Sequence, residues 1–447
     1  MLVDAQMLLD WRWGGVLATP FLMVYFTSCW RRIMFTAKLL LIACLVLGGA
    51  VLLRPQGFDT LVTALGRMTF FPAFVAALGL LRAAADASHT VDAAGRMLVS
   101  QTPSRRYAAL TLGGHIFGIL LNIGGLALLL DMTRRANTLA SASGNARVVA
   151  VRERRMTLAV MRGFAAIALW SPLGLALNLI LASMPDVAWT QVAPYGFVGA
   201  CAFMGLGFLF DRLGNPPPRQ VSPSEPVRNG AGAVAAMAGH IVALSSLALT
   251  AELLTHWSFQ AILINLVPLY ALMWLLAGAL RRGDPPVRSA LTALRDQGIA
   301  RWPNFANEIS VFAASGLLGV VIAELAPRGA LQAALVSTPL PPGGFAAALA
   351  LVVFSLGFLG INPMISASIL AGTLSTLTVP GLSHATIVLA LAAGWACVIG
   401  VAPLMSSLVI TAGVIGRRTG EVGLKWNGRF GLLAITLTML TLMVARI

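Results

Sequence analysis

Charged side chains are scarce in this chain. Asp, Glu, Lys and Arg make up only 11% of its 447 residues, whereas 58% of the residues are hydrophobic. Soluble domains carry about 25% charged residues, so the composition excludes an ordinary soluble protein. The longest polar stretches, 132–155 and 213–230, are too short to form a separate soluble domain. The sequence therefore predicts an all-α polytopic protein of the cell (inner) membrane, with the lipid bilayer as a partner.

Motifs that carry enzymatic chemistry are missing as well. The chain has no HExxH, no GxSxG, no Walker A motif and no paired Cys/His spacing typical of a metal site. Its four cysteines lie in apolar segments without CxxC spacing, and we interpret them as packing residues. We expect neither an enzyme nor an ATP-driven pump, and no cofactor other than Na⁺ or H⁺ as a coupling ion.

The basic balance of the chain, a formal net charge of +15, does not indicate nucleic-acid binding. No basic stretch is interleaved with aromatic residues in the way that base stacking requires. The arginines cluster in loops, as expected where cytoplasmic loops contact anionic lipid. We interpret the charge as a positive-inside signal.

Apolar segments recur along the whole chain. Their number predicts about 10–12 membrane segments of the roughly 20-residue length that a membrane helix needs. Two of them are interrupted: 156–184 by Ser171-Pro172, and 344–378 by Asn362-Pro363. A third, 383–415, is also long and has the sequence GVAP in its middle.

An internal repeat places the two interrupted segments at matching positions. Three pairs of segments resemble each other in the same order and at nearly constant spacing, namely 70–82 with 266–282, 170–176 with 361–367, and 184–192 with 379–387. The resulting domain organisation is an N-terminal membrane helix in 1–35, a first repeat in 36–212, a Pro-rich linker in 213–230, a second repeat in 231–415 and a C-terminal membrane helix in 416–447.

The arginines of the loops give partial information on orientation. Loop 132–155 holds six arginines and its counterpart 327–342 holds one, which favours opposite sides of the membrane and hence an inverted repeat. Loops 82–106 and 281–303 are both arginine-rich, however. The number of full crossings and the orientation therefore stay open.

Interrupted apolar segments at matching positions of two repeats are typical of the binding site of a secondary transporter. Proline removes a backbone donor and frees carbonyls, which is tolerable at membrane depth only beside protein or a watery cavity. The alternative is a pair of proline kinks whose Ser and Thr side chains bond back to their own helix. The predicted substrate contacts are Ser171, Asn178, Asn362, Ser366, Ser368 and Thr373.

Few polar and ionisable residues lie inside apolar segments, so each is a candidate for function. We predict that Glu308, His115 and Asn122 take part in ion coupling. The alternative for Glu308 is a carboxylate favoured by the dipole of a helix N-terminus, and for His115 a packed, hydrogen-bonded histidine. Arg162 is expected to extend to the membrane interface.

In its size, its two repeats and its interrupted segments, the chain resembles the ion-transporter superfamily over roughly residues 36–415. That group includes divalent-anion/sodium symporters, whose hairpins carry Ser-Asn-Thr at their tips. Here the corresponding positions read Ser171-Pro172-Leu173 and Asn362-Pro363-Met364. Only Ser171 and Asn362 therefore carry over as candidate contacts.

The resemblance implies that each interrupted segment is a re-entrant hairpin and that the two tips meet near the midplane. It also implies a homodimer in which one bundle moves against a fixed scaffold. The predicted function is secondary transport of a small anionic solute, coupled to Na⁺ or H⁺. The alternatives are a non-transporting subunit of a polysaccharide or lipid export complex, which predicts a filled midplane, and a lipid-processing enzyme, which predicts clustered His, Asp or Glu.

Overall fold

The computed structural model describes residues 2–9, 11–214, 229–255, 257–337 and 340–444, and these form helices without any strand. The α-helices in chain order are α1 (Leu2–Leu8), α2 (Gly14–Cys29), α3 (Phe35–Val51), α4 (Gly57–Asp86), α5 (His89–Val99), α6 (Pro103–Leu121), α7 (Ile123–Ala136), α8 (Ala146–Ala165), α9 (Leu175–Ser183), α10 (Trp189–Gly214), α11 (Gly230–Leu254), α12 (Phe259–Arg282), α13 (Pro286–Ala293), α14 (Ala306–Leu325), α15 (Arg328–Ser337), α16 (Pro342–Phe358), α17 (Pro363–Leu374), α18 (His384–Val398), α19 (Ser406–Ile415) and α20 (Gly428–Val444).

The chain is an all-α polytopic membrane protein, as its composition predicts. Within the described residues, five helical stretches are long and apolar enough to cross a bilayer. They are α4, α10, α11, α12 and the stretch Pro286–Leu325 that contains α13 and α14. Large apolar side chains on the outer helices are exposed, among them Phe21 at 71% and Leu45 at 75%. Such surfaces suit contact with lipid.

Both interrupted segments of the sequence are broken helices. In the first, α8 continues as a 3₁₀ turn at Ala166–Leu169, and residues 170–174 then separate it from α9. In the second, residues 359–362 separate α16 from α17. We call these the first break and the second break. The predicted interruptions at Ser171-Pro172 and Asn362-Pro363 are thus confirmed.

A third break, residues 399–405, separates α18 from α19 and contains the GVAP sequence. A further interruption falls at Asn122, which has a positive φ of 51° and joins α6 to α7. The chain reverses direction at Asn122, as the contact between the backbone of Gly113 in α6 and the side chain of Leu129 in α7 shows. We call Asn122 the hairpin tip. No proline occurs in 104–171, so this reversal has no proline signal in the sequence.

The order of helices repeats once along the described chain. A long helix, a short helix, a pair of helices joined at an interruption, a broken helix and a closing helix follow one another in α4–α10 and again in α14–α20. In the broken helices, Gly163 lies nine residues before Pro172 and Gly394 lies nine residues before Pro403. Both glycines pack directly on a backbone carbonyl, Gly163 in α8 on α6 and Gly394 in α18 on α16.

This equivalence differs from the sequence match that paired 170–176 with 361–367. By the order of helices, the first break corresponds to the third break, and the hairpin tip corresponds to the second break. The pairing made from the short apolar segments stays a prediction. The unit boundaries 36–212 and 231–415 and the inverted arrangement stay predictions, and most of the linker 213–230 lies outside the described residues.

Candidate functional site

Five helix starts surround one central cavity of about 130 Å³. The lining includes the hairpin tip, residues of all three breaks and the first turn of α14. Helices α7, α9, α14, α17 and α19 all begin at these points. The unpaired backbone amides of a helix N-terminus carry a partial positive charge. The cavity is therefore arranged to favour a negatively charged group.

Ends of helices reach the same cavity. Gly118 near the end of α6, Gly357 near the end of α16 and Trp395 near the end of α18 line it. The last carbonyls of a helix lack intrahelical partners and carry partial negative charge. Broken helices thus offer both amide donors and carbonyl acceptors, which is the arrangement that binds an anion together with a coupling cation in transporters.

The first break is held by Asn178. Its Nδ2 donates to the carbonyl oxygens of Pro172 at 2.7 Å and Gly174 at 2.9 Å. Asn178 is fully buried and does not line the central cavity, and Ser171 is also fully buried beside it. Leu173 and Gly174 form the wall of the cavity instead. Asn178 and Ser171 therefore lie behind the wall, where Asn178 donates hydrogen bonds to two backbone carbonyls of the break.

The second break is a helix start with a side-chain cap. Gly360 has a positive φ of 98°, which glycine adopts without a steric penalty. Asn362 Oδ1 accepts from the backbone N–H of Met364 at 3.0 Å, and Pro363 occupies the first turn of α17. Both features are favourable at a helix N-terminus. Asn362 lines the central cavity.

The third break is held by Asn427, which the sequence analysis did not single out, and through it by Arg162. Asn427 Nδ2 donates to the carbonyl oxygen of Gly400 at 2.9 Å, and Asn427 Oδ1 accepts from Arg162 Nε at 3.0 Å. Arg162 Nη1 donates to Tyr107 Oη at 2.8 Å and to the Gly207 carbonyl at 3.2 Å. Its guanidinium also lies 3.9 Å from the ring centre of Phe430.

The expectation that Arg162 extends to the interface is therefore wrong. Its side chain is only 2% exposed, since it is enclosed between helices that supply acceptors and an aromatic ring. The contacts of Arg162 join α6, α8, α10 and the start of α20 to the third break. The sequence did contain a signal for this cluster, because an arginine inside an apolar segment needs polar partners. The partners themselves are 45 to 265 residues away in the chain.

Glu308 is the charged residue in the lining of the central cavity, among the residues that the structure describes. It lies in the first turn of α14, next to Asn307. Its Oε2 is buried and has no hydrogen-bond partner within the described chain. The helix dipole favours a carboxylate at this position, which agrees with the alternative given for Glu308 in the sequence analysis. A carboxylate oxygen without a partner can also take up a proton or a cation.

A second cavity of about 310 Å³, which we call the side cavity, shares part of its wall with the first. Both linings contain Asn122 and Glu308 together with Ile123, Leu175 and Met364. Two of the three predicted ion-coupling residues, Asn122 and Glu308, thus line both cavities. They reach the shared wall from the hairpin tip and from the first turn of α14.

His115 does not line either cavity. Its Nε2 accepts from Trp170 Nε1 at 3.0 Å, and its Nδ1 lies 3.0 Å from the carbonyl oxygen of Gly163. The ring is 5% exposed and stacks on Trp170. With one nitrogen accepting and the other facing a carbonyl, the neutral ring satisfies both partners. This geometry agrees with the alternative of a packed histidine, and the ion-coupling role stays a prediction.

The remaining predicted contacts lie in α17 away from the cavity lining. Ser366 Oγ donates to the Pro363 carbonyl at 3.4 Å, within its own helix. Ser368 is 1% exposed and packs near Gly319 of α14. Thr373 is partly buried in the last turns of α17. Of the nine predicted site residues, Asn122, Asn362 and Glu308 line the central cavity.

Additional polar residues of the lining come from α19. Ser406 and Ser407 occupy the first turn after the third break, and Ser407 Oγ is buried without a hydrogen-bond partner in the described chain. Within the described residues, no three His, Cys, Asp or Glu side chains are grouped as metal ligands would be.

No protein-family model matches this chain, and no curated protein matches its sequence. Among solved structures, the crystal structure of the Alcanivorax borkumensis YdaH transporter, reported to have an unusual topology, has a TM-score of 0.63 with 18% sequence identity. The match covers 92% of this chain and 98% of the YdaH chain. At this identity the comparison shows the fold alone, and this fold is one that a transporter uses. Membership of the ion-transporter superfamily stays a prediction.

Proposed function

We propose that this chain is a secondary active transporter that moves a small anionic solute across the cell membrane. The observation that carries this proposal is the convergence of five helix starts on the central cavity. Helix N-termini bind anions through free amides and the helix dipole. Discontinuous helices from two repeats form the substrate site of many secondary transporters. The fold shared with the YdaH transporter supports the same reading.

The coupling ion that fits this site best is H⁺. Glu308 is the carboxylate of the central cavity, and its buried Oε2 lacks a hydrogen-bond donor in the described chain. A carboxylate beside an anion site repels the anion until it is protonated. Na⁺ is the second option, because carbonyls of the broken helices could coordinate it.

The movement that we propose is a displacement of the broken helices against the pair α4 and α14. The broken helices α8–α9 and α18–α19 pack on α6 and α16 through close glycine contacts. Glu308 belongs to α14 and lines the cavity together with residues of the broken helices. An elevator-like or rocking motion of one group against the other would carry the anion past Glu308. A homodimer is the assembly that we expect for the scaffold.

Transport by reconstituted protein tests the proposal. Purified protein in liposomes is offered radiolabelled succinate and phosphate, with the outside more acidic than the inside and, separately, with more Na⁺ outside than inside. Protein-free liposomes are the reference, and monocarboxylates such as acetate are left out because they cross the bilayer as neutral acids. A pH difference of one unit supplies about 1.4 kcal/mol per proton. This is enough for about ten-fold accumulation of a singly charged anion that enters together with one proton. We expect accumulation of at least one of these anions under the pH gradient.

Glu308→Gln is the decisive variant, because glutamine mimics the protonated carboxyl. We expect it to exchange internal for external anion but to lose accumulation driven by the pH gradient. Glu324→Gln is the matched control, since Glu324 lies on the same helix α14 and pairs with Arg328 at its other end. Accumulation by Glu308→Gln equal to that of the control would contradict H⁺ coupling through this residue.

The alternative function, a non-transporting subunit of an export complex, predicts a filled midplane. The central and side cavities do not fit that expectation. The alternative would regain support if well-folded protein transported none of the anions under either gradient.

A further inference from the structure

Two hydrogen-bond donors without acceptors line the side cavity. Arg82 Nε and Trp302 Nε1 are both buried and have no hydrogen-bond partner in the described chain. A buried donor without a partner is costly. Two such donors in one cavity indicate that a hydrogen-bond acceptor from outside the protein occupies it.

The charges around these donors specify the acceptor further. Arg82 and Arg301 both line the side cavity. Asp86 is the nearby carboxylate, and it is bound by Arg301 at 2.9 Å, whereas Arg82 Nε lies 3.6 Å from the same oxygen. One carboxylate thus serves two guanidinium groups, and Arg82 has the weaker contact. Glu308 also lines this cavity, so the two guanidinium groups exceed the negative charge, and favour an anionic acceptor, when Glu308 is protonated.

The position of Arg82 connects the side cavity to the hairpin tip. Its guanidinium packs on the backbone of Gly124, so closely that a Cβ there would collide with it. It also lies 5.7 Å from the ring centre of Phe305, at the start of α14. Glu308 and Asn122 separate this group from the central cavity. An anion on Arg82 therefore lies next to the carboxyl that we assign to coupling.

We propose that the side cavity is a second anion subsite, in which Arg82 and Trp302 bind the oxyanion group of the solute before or after it occupies the central cavity. The ligand class is an oxyanion, such as a carboxylate, because a guanidinium and an indole N–H are both donors to oxygen. This inference rests on the proposed function, because it assigns the bound oxyanion to the transported solute. A phospholipid headgroup has the same chemistry and is the competing source.

Binding to protein in nanodiscs tests the subsite separately from transport. Nanodiscs of phosphatidylcholine alone carry no anionic lipid, and calorimetry with benzoate, succinate and phosphate gives the dissociation constant of each anion. Arg82→Gln removes the charge, and Gly124→Ala displaces the guanidinium while it leaves Arg82 in the sequence. We expect the dissociation constant of the best anion to rise about ten-fold or more in both variants, and less in Trp302→Phe.

Arg96→Gln is the matched control, because Arg96 is an exposed arginine of α5 that pairs with Asp92. It should bind the anion as the wild type does. Arg82→Lys should retain part of the affinity, since lysine keeps the charge but not the planar donor geometry. Gly124→Ala keeps the test valid if Arg82→Gln does not fold, because alanine is favourable in a helix.

Each result has a distinct meaning. Wild-type affinity in both Arg82→Gln and Gly124→Ala, with transport intact, would overturn the subsite and leave the proposed function standing. Stabilisation that requires added phosphatidylglycerol and Arg82, without binding of any soluble anion, would assign the site to a lipid headgroup and overturn the solute subsite. Absence of both anion binding and transport in wild-type protein would overturn the subsite and the proposed function together.

Discussion

Replacing Asn427 by alanine tests how the third break is held in place. Asn427 is 2% exposed and bridges Arg162 to the carbonyl oxygen of Gly400. Alanine removes both hydrogen bonds and leaves a charged donor and a carbonyl in a dry environment. Arg162 retains its contacts with Tyr107 and Gly207, so the rest of the cluster should stay assembled.

The size of the effect follows from the two bonds. Hydrogen bonds between membrane helices contribute on average about 0.6 kcal/mol and at most about 1.7 kcal/mol, which is the range for the bond to Gly400. Hydrogen bonds to charged groups contribute about 1.5–3 kcal/mol, which is the range for the bond from Arg162. We therefore expect Asn427→Ala to lower the free energy of unfolding by about 2–5 kcal/mol.

Steric trapping in bicelles measures this free energy for the wild type and the variant. Asn427→Asp separates the two bonds, because aspartate still accepts from Arg162 Nε but cannot donate to Gly400. It should be more stable than Asn427→Ala. Both variants should bind the anion more weakly than the wild type does, since Ile399 and Leu404 of the third break line the central cavity. A loss below about 1 kcal/mol in Asn427→Ala would refute the bridge as a structural element.

Two further predictions concern the packing behind the cavity. Gly163→Ala should lower the free energy of unfolding by about 1–3 kcal/mol, because Gly163 packs on the backbone of Thr111. Gly199→Ala should not lower it, since no atom lies within 4 Å of the added methyl group. Equal stability of the two variants would contradict the close contact between α8 and α6. Asn178→Ala should cost about 1–3 kcal/mol in the same measurement. It leaves the Pro172 carbonyl without its hydrogen bond, whereas the Gly174 carbonyl still accepts from the backbone N–H of residue 178. A cost no greater than that of Asn265→Ala, which loses one bond within its own helix, would show that this role is wrong.

The fold class and the breaks marked by proline could be predicted because their causes are local. A high apolar content demands helices in a bilayer. Pro172 and Pro363 each follow a polar residue and lie at breaks, whereas the prolines inside continuous helices follow apolar residues or threonine, namely Pro20, Pro72, Pro194 and Pro268. The hairpin tip could not be found in this way, since Asn122 reverses the chain without proline. The equivalence between the helices of the two halves could not be predicted from the sequence either, because it depends on glycine contacts between α6 and α8 and between α16 and α18.

The candidate site shows the same division. Glu308 and Asn362 were found because a carboxylate and an Asn-Pro pair are rare inside apolar segments. The predicted contacts Ser366, Ser368 and Thr373 do not line the central cavity and stay predictions. Other hydroxyls of the same segment return their hydrogen bonds to nearby carbonyls, as Ser375 does to Gly372 at 2.8 Å. Arg82 and Trp302 gave no signal, because the sequence does not show that their donors lack acceptors.

The placement of charge around the central cavity explains how H⁺ and an anion would be coupled. Glu308 lies in the first turn of α14, so its carboxylate, when ionised, occupies one of the positive helix ends that the anion would use. Across about 7 Å with an effective dielectric constant of about 20, repulsion between the two negative charges is about 2.4 kcal/mol, or about 50-fold in affinity. Protonation of Glu308 removes this repulsion, and by linkage the bound anion favours the proton equally. Arg82 and Arg301 remain in the side cavity, so under this proposal the central cavity would bind the anion through helix ends alone and hold it weakly enough to release it.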